Sequence, residues 1–217
     1  LFMLQKRFLI LLILALSLFL RTLLIDRFPF SFNQDEASQG YAAYSLLQSG
    51  RDEWGFTWPI TGFKSFLDYK APLYTYLTIP SIAVFGLNEF AVRLPSAVFG
   101  ILTVLAVYLL TKKLFPQTKI PEITAFLLAI SPWSIQFSRS AMEANIFPAL
   151  FLFGLLFFIE GKSKPSRLII AAILWGLCFY SYHAAKIFLP PFILVAYFVY
   201  RPKIYLPSII LFVLIAT

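Results

Sequence analysis

The chain has 217 residues, of which 60% are hydrophobic and only 13% charged, with a mean hydropathy of +0.82. Soluble domains run at about 45–50% apolar and about 25% charged, so the composition excludes a water-soluble globular protein and predicts an integral membrane protein. The formal charge of +8 collects in short loops between apolar runs, which is how membrane topology is encoded; nucleic acid is set aside as a partner.

Lys6 and Arg7 precede the first apolar run, residues 8–25. No small-residue cleavage site follows it, so a retained span is expected rather than a signal peptide. Arg21 lies within that span and is expected to snorkel outward toward Asp26. Further apolar segments cover 72–87, 91–111, 121–137, 145–160, 168–182, 187–200 and 204–217. The last is shorter than the ~20 residues a span needs, and the chain opens on Leu1 rather than Met. Residues 1–217 are therefore expected to be the N-terminal part of a longer membrane domain whose C-terminal remainder is missing. Cys178 is the single cysteine and sits in an apolar run, so no disulfide framework exists.

The positive-inside rule sorts the loops. Lys6 and Arg7 place the N-terminus in the cytoplasm. Lys112, Lys113 and Lys119, then Lys162, Lys164 and Arg167, then Arg201 and Lys203 all fall inside only if 72–87 does not cross. That segment is predicted to be a juxtamembrane helix. Ten of the 18 Lys and Arg then lie inside, with Glu122 and Glu160 as the acids there. The predicted fold is all-α: a polytopic transmembrane helical bundle with a long first external loop, about 26–90, carrying juxtamembrane helices.

That loop opens with Asn33-Gln34-Asp35-Glu36, which resembles a capping box with Asn33 as N-cap. A helix over Ala37–Gln48 follows, with Tyr41, Tyr44, Leu46 and Leu47 on one stripe, and ends at Gly50. Trp54, Trp58 and Tyr69 suit an interfacial aromatic belt. Pro72 opens the juxtamembrane helix at N1, so Lys70 stands just before a helix start.

Several of these residues can carry chemistry. Asp35 and Glu36 either complement a helix dipole or serve as catalytic acids facing a water-filled cavity. Lys70 either snorkels among lipid headgroups or joins a helix start in holding a phosphate. His183 and Lys186 either anchor the interface or belong to the same anion site. Arg139 and Glu143 are four residues apart and on a helix would form a pair; Glu143 is otherwise a second catalytic acid. One histidine without a cysteine cluster is a poor metal signature. No cofactor is implied, and a divalent metal is left open.

In order, Asp35-Glu36, Tyr69-Lys70-Ala71-Pro72-Leu73-Tyr74, Arg93-Leu94-Pro95-Ser96 and Ser138–Glu143 resemble the GT-C membrane glycosyltransferases. The resemblance is to the protein O-mannosyltransferase and aminoarabinose transferase branch and covers most of the chain. It implies transfer of a sugar from a polyprenyl-phosphate carrier to an acceptor hydroxyl on a protein, lipid or glycan, at the non-cytoplasmic face of the plasma (inner) membrane. It places Asp35 at the catalytic loop-one acid with Glu36 beside it, and Lys70 near the carrier phosphate. Glu143 falls where the family often has Asp. Arg139, His183 and Lys186 would assist at the phosphate, and attack opposite that phosphate would invert the anomeric carbon.

The rival class is a non-enzymatic transporter or flippase of lipid-linked sugars. It would place ionisable groups in mid-span and carry internal repeats with broken helices. This sequence puts nearly all its ionisable groups in loops and shows no repeat, so the enzyme is the expectation.

Overall fold

A computed structural model describes residues 2–66, 68–202 and 205–216, with the backbone alone for residues 2–7. Lys203, Ile204 and Thr217, and the side chains of Lys6 and Arg7, lie outside the described residues. The chain is helical apart from one small hairpin. Helix α1 (Phe2–Thr22) leads to α2 (Gln34–Ser49), strands β1 (Phe63–Ser65) and β2 (Asp68–Lys70), and α3 (Pro72–Phe85). Then come α4 (Glu89–Leu114), α5 (Ile120–Ile130), α6 (Pro132–Arg139), a 3₁₀ turn (Glu143–Asn145) and α7 (Ile146–Gly161). Helices α8 (Arg167–Ser181), α9 (Ala185–Tyr200) and α10 (Leu206–Ala216) complete the described chain. Two helical stretches, Glu89–Leu114 and Glu143–Gly161, are long and apolar enough to cross a membrane.

Successive long helices run antiparallel, so that α7 lies parallel to α4 and to α9, and this order decides which loops share an end. Ile10 and Ile13 of α1 meet Val104 and Tyr108 in the second half of α4. At the other end, Arg93 in the first turns of α4 donates to the carbonyl of Ile25, just past α1. Thr111 and Thr124 join the end of α4 to the start of α5 at 3.3 Å. Tyr200 at the end of α9 meets Phe158 near the end of α7. Lys112 and Lys113, Lys119, Lys162 and Lys164, and Arg201 thus gather at one end of the bundle. The capped start of α2, the hairpin and the α8–α9 joint gather at the other.

Helix α3 adds no crossing to this order. Near its start the Tyr74 hydroxyl donates to the Val92 carbonyl at 2.8 Å, and at its end Phe85 packs against Phe90. Both ends of α3 therefore lie beside the first turn of α4. Its 14 residues reach about 21 Å at the usual rise, short of a hydrocarbon core of about 30 Å.

Three local expectations are corrected. The apolar run 121–137 is two helices, because Ser131 is extended at φ −61°, ψ 119° and Pro132 starts a new one. Arg21 does not snorkel toward Asp26: it is fully buried and donates to the Ser17, Ser134 and Ser138 hydroxyls and to the carbonyls of Leu128 and Ala129. Those are carbonyls of the last turn of α5, where Leu128 also accepts from the Ser131 amide at 3.3 Å. The stripe on α2 holds in part: Leu46 is buried and Tyr44 packs against the core, but Tyr41 and Leu47 are exposed, and Glu36, Gln39, Gly40 and Ala43 take the buried face. Gly40 explains the choice of face, since a Cβ there would come within 2.6 Å of Val92.

Candidate active site

The start of α2 separates two neighbouring acids. Asn33 Oδ1 accepts from the Glu36 amide at 2.9 Å and the Glu36 carboxylate accepts from the Asn33 amide at 3.1 Å, a complete capping box. Consecutive helical residues point about 100° apart, so fixing Glu36 toward the bundle turns Asp35 away from it. Glu36 is 1% exposed and paired with Arg93, Nε to Oε1 at 2.9 Å and Nη2 to Oε2 at 3.2 Å. Its Oε1 also accepts from the Ala141 amide at 2.8 Å. With four donors on two oxygens, Glu36 has no lone pair left for a substrate. The structure thus places Glu36, expected as a catalytic acid, in a buried ion pair apart from the cavity wall.

Asp35 has the opposite surroundings. Its side chain is half exposed, and its carboxylate meets Lys70 Nζ at 3.0 Å. Lys70 comes from β2, paired antiparallel with β1 so that Phe63 faces Lys70 and Ser65 faces Asp68. Asp68 lies 3.4 Å from the same ammonium. Gln34, Asp35, Ser65, Phe66, Asp68 and Lys70 line a cavity of about 300 Å³ between α2 and the hairpin. Burial alone would lower the Lys70 ammonium. The hydrogen bonds and charges of Asp35 and Asp68, with the charge of Glu143, outweigh it and hold Lys70 above the ordinary lysine value. Lys70 is therefore charged at neutral pH, and the stability that its raised value brings is lost as pH rises through that value. Asp68 is held below the ordinary carboxylate range, first by the Tyr69 amide and then by Lys70.

The backbone on both sides of Lys70 is tied to distant parts of the chain. Glu143 Oε2 accepts from the Ala71 amide at 3.0 Å, and His183 Nε2 meets the Tyr69 carbonyl at 2.8 Å. A carbonyl only accepts, so that His183 nitrogen carries the proton. The expected Arg139–Glu143 pair is absent among the described contacts. The helix ends at Arg139, Ser140 is extended at ψ 151°, and Glu143 starts a separate 3₁₀ turn. Arg139 instead donates to the carbonyls of Leu20, Leu24 and Phe28 at 2.9, 3.1 and 3.1 Å. Its guanidinium thus caps α1, far from an anion role beside Lys70. Lys186 is exposed in the first turn of α9, outside the cavity wall. The structure brings together Asp35, Lys70, Glu143 and His183, and leaves Glu36, Arg139 and Lys186 apart.

Three participants escaped the sequence reading. Arg93 was legible only as a basic residue at a helix start, since its partner Glu36 is 57 residues away. Asp68 precedes Lys70 by two, the strand spacing that puts both side chains on one face, but so short a strand shows no alternation. Ser65 carries no signal at all: it is 2% exposed and its hydroxyl has no hydrogen-bond partner. Among the described residues no group of three or more His, Cys, Asp or Glu is placed to hold a metal ion.

A model of the dolichyl-phosphate-mannose-protein mannosyltransferase family matches residues 69–217. The chain belongs to that family. No curated protein and no solved structure matches it. The mannosyltransferase match begins at Tyr69, so it takes in Lys70, Glu143 and His183, while Asp35 joins them through geometry. Membership puts the chain in a class of membrane-associated, mannosyltransferase-like glycosyltransferases that works with a lipid-linked sugar donor and an acceptor.

Proposed function

We propose that the protein is a multi-pass GT-C glycosyltransferase of the plasma (inner) membrane. It moves a sugar from a polyprenyl-phosphate donor to an acceptor hydroxyl of a protein, lipid or glycan on the non-cytoplasmic face. The observation that carries this reading is Asp35: a half-exposed carboxylate in a cavity wall, held at 3.0 Å by Lys70. An acceptor hydroxyl is a weak nucleophile and needs a carboxylate within hydrogen-bond reach to take its proton during attack. Asp35 takes that proton. The acceptor oxygen bonds to the anomeric carbon as the bond from that carbon to the phosphate oxygen breaks, and polyprenyl phosphate leaves with the electron pair. Positive charge builds on the sugar and is stabilised by the carboxylates of Asp35 and Asp68. Lys70 supplies the cation for the departing phosphate, exchanging its carboxylate partners for it. Attack on the face opposite the phosphate inverts the anomeric carbon. Glu143 and His183 position Lys70 through the backbone on either side of it.

The test is Asp35→Asn in the full-length protein in membrane vesicles, with transfer from a lipid-linked sugar as readout. Loss of a general base lowers kcat by about 10²–10⁴-fold, with insertion and folding unchanged because Asp35 is half exposed. Turnover within about threefold of wild type would remove Asp35 from the chemistry.

A further inference from the structure

We infer that the loop between α2 and β1, residues 50–62, is a membrane anchor. It seats in the boundary between phospholipid headgroups and acyl chains, in the leaflet on the cavity side. The anchor concerns how the hairpin is held and is independent of the transfer reading. Charge and apolarity are sorted along the loop. Its three charged residues, Arg51, Asp52 and Glu53, come first, and residues 54–62 carry none. Trp54, Phe56, Trp58 and Ile60 in that stretch are all exposed, Ile60 at 69%. Large apolar side chains grouped this way mark a surface that meets lipid or another protein. The loop is held in this pose: Trp58 stacks on Tyr76 of α3 at 6.2 Å, and the Tyr76 hydroxyl donates to the Pro59 carbonyl at 3.0 Å.

The backbone decides between lipid and protein. Asp52, 5% exposed, accepts the Trp54 and Phe56 amides on one carboxylate oxygen at 3.0 and 2.8 Å. The Gly55 amide donates to the Asp52 carbonyl at 3.0 Å, and the Trp58 amide to the Gly50 carbonyl at 3.3 Å. Pro59 has no amide hydrogen, and the Trp54 indole N–H donates to the Lys64 carbonyl at 2.8 Å. The loop thus turns apolar side chains outward and these donors inward. Acyl chains offer a donor no partner, so a segment entering them satisfies such groups internally. A peptide partner would instead draw on open main-chain donors. The surroundings agree. Leu46 near the end of α2 packs with Ala42, Phe63, Tyr76 and Ile79 in a small cluster distinct from the main core. The loop is therefore carried by α3, which has no charged residue and whose exposed residues, Pro80, Ala83, Val84 and Phe85, are all apolar. Lys64 Nζ lies 4.2 Å over the Trp54 ring, the pairing of aromatic body and snorkelling cation that suits an interface. Lys64 also faces Tyr69 across the hairpin, so the depth of Trp54 sets the depth of β2.

The test places a nitroxide on Phe56→Cys and on Ile60→Cys of the full-length protein in phosphatidylcholine vesicles. Other reactive cysteines are replaced by serine; Cys178 is buried. Both labelled side chains are exposed, so the substitutions leave the fold intact. Collisions with oxygen, which concentrates in lipid, are compared with collisions with a water-soluble nickel chelate. Both labels are expected to collide more with oxygen. Adding phosphatidylglycerol is expected to change nothing, since residues 54–62 are uncharged. Asp52→Ala frees the Trp54 and Phe56 amides and is expected to shift the Ile60→Cys label toward nickel. Asp52→Asn keeps an accepting oxygen and is expected to restore the oxygen preference. Nickel dominating at both positions of the otherwise unaltered loop would put it in water, and labels shielded from both reagents would put a protein surface over it. Either result overturns the anchor, as does a depth that appears only with the anionic lipid. Equal depth with Asp52 and with Asp52→Ala overturns the closed turn as the feature that admits the loop to lipid.

Discussion

Asp35 and Glu36 show how one residue step decides a role. Both are acids in the first turn of the same helix, where either would complement the dipole. The capping box fixes Glu36 inward, and Arg93, itself 1% exposed, closes over it. Removing one member of a buried pair leaves an uncompensated charge and costs about 3–5 kcal/mol. Glu36→Gln is therefore expected to lower thermal stability and accumulation in the membrane by an amount Asp35→Asn does not approach. A Glu36→Gln protein that melts like wild type and loses only kcat would return Glu36 to the chemistry. The cap itself was legible, because its residues are three apart and its bonds are local. The Arg93 partnership was not, since ion pairing across 57 residues leaves no periodic trace.

Element boundaries carry Glu143 and His183 to the hairpin. Had α6 continued, Arg139 and Glu143 would share a face and form the pair that their spacing suggests. The extended Ser140 redirects the chain, and the carboxylate reaches Ala71 at the start of α3 instead. Pro72 at N1 of α3 was readable from the sequence because proline there is compatible with a helix start. The break before Pro132 has the same signal but was masked by unbroken apolarity across 121–137. A role for Glu143 as a holder of the Ala71 amide makes a sharp distinction between variants. Glu143→Gln keeps an acceptor oxygen for the Ala71 amide, so transfer and donor KM are expected within about threefold of wild type, below the loss of a whole neutral hydrogen bond. Glu143→Ala removes the acceptor, and the donor KM is expected to rise several-fold. Steady-state kinetics on both variants decide the matter; equal and severe losses of kcat would make the Glu143 charge itself part of the reaction.

At the scale of the molecule, the antiparallel helix order gathers the basic loops at one end and the Asp35–Lys70 cavity at the other. Charge and hydropathy anticipated this arrangement because topology is written in short loops, which need no tertiary knowledge to read. The positive-inside rule predicts that the end with Lys112, Lys113, Lys119, Lys162 and Lys164 faces the cytoplasm and that the cavity faces away from it. Single cysteines test the assignment against a quiet background, since the native Cys178 is fully buried. Leu87→Cys is preferable to a cysteine at the next residue, because Asn88 caps α4 through the Ala91 amide and its loss would cost about 1 kcal/mol. Leu87 is 46% exposed at the cavity end, as is Phe115 at the basic end. An impermeant maleimide added to intact cells is expected to label Leu87→Cys at once and Phe115→Cys only after permeabilisation. The reverse pattern would put the cavity on the cytoplasmic side, where the proposed donor face would be wrong even if Asp35 remained the base.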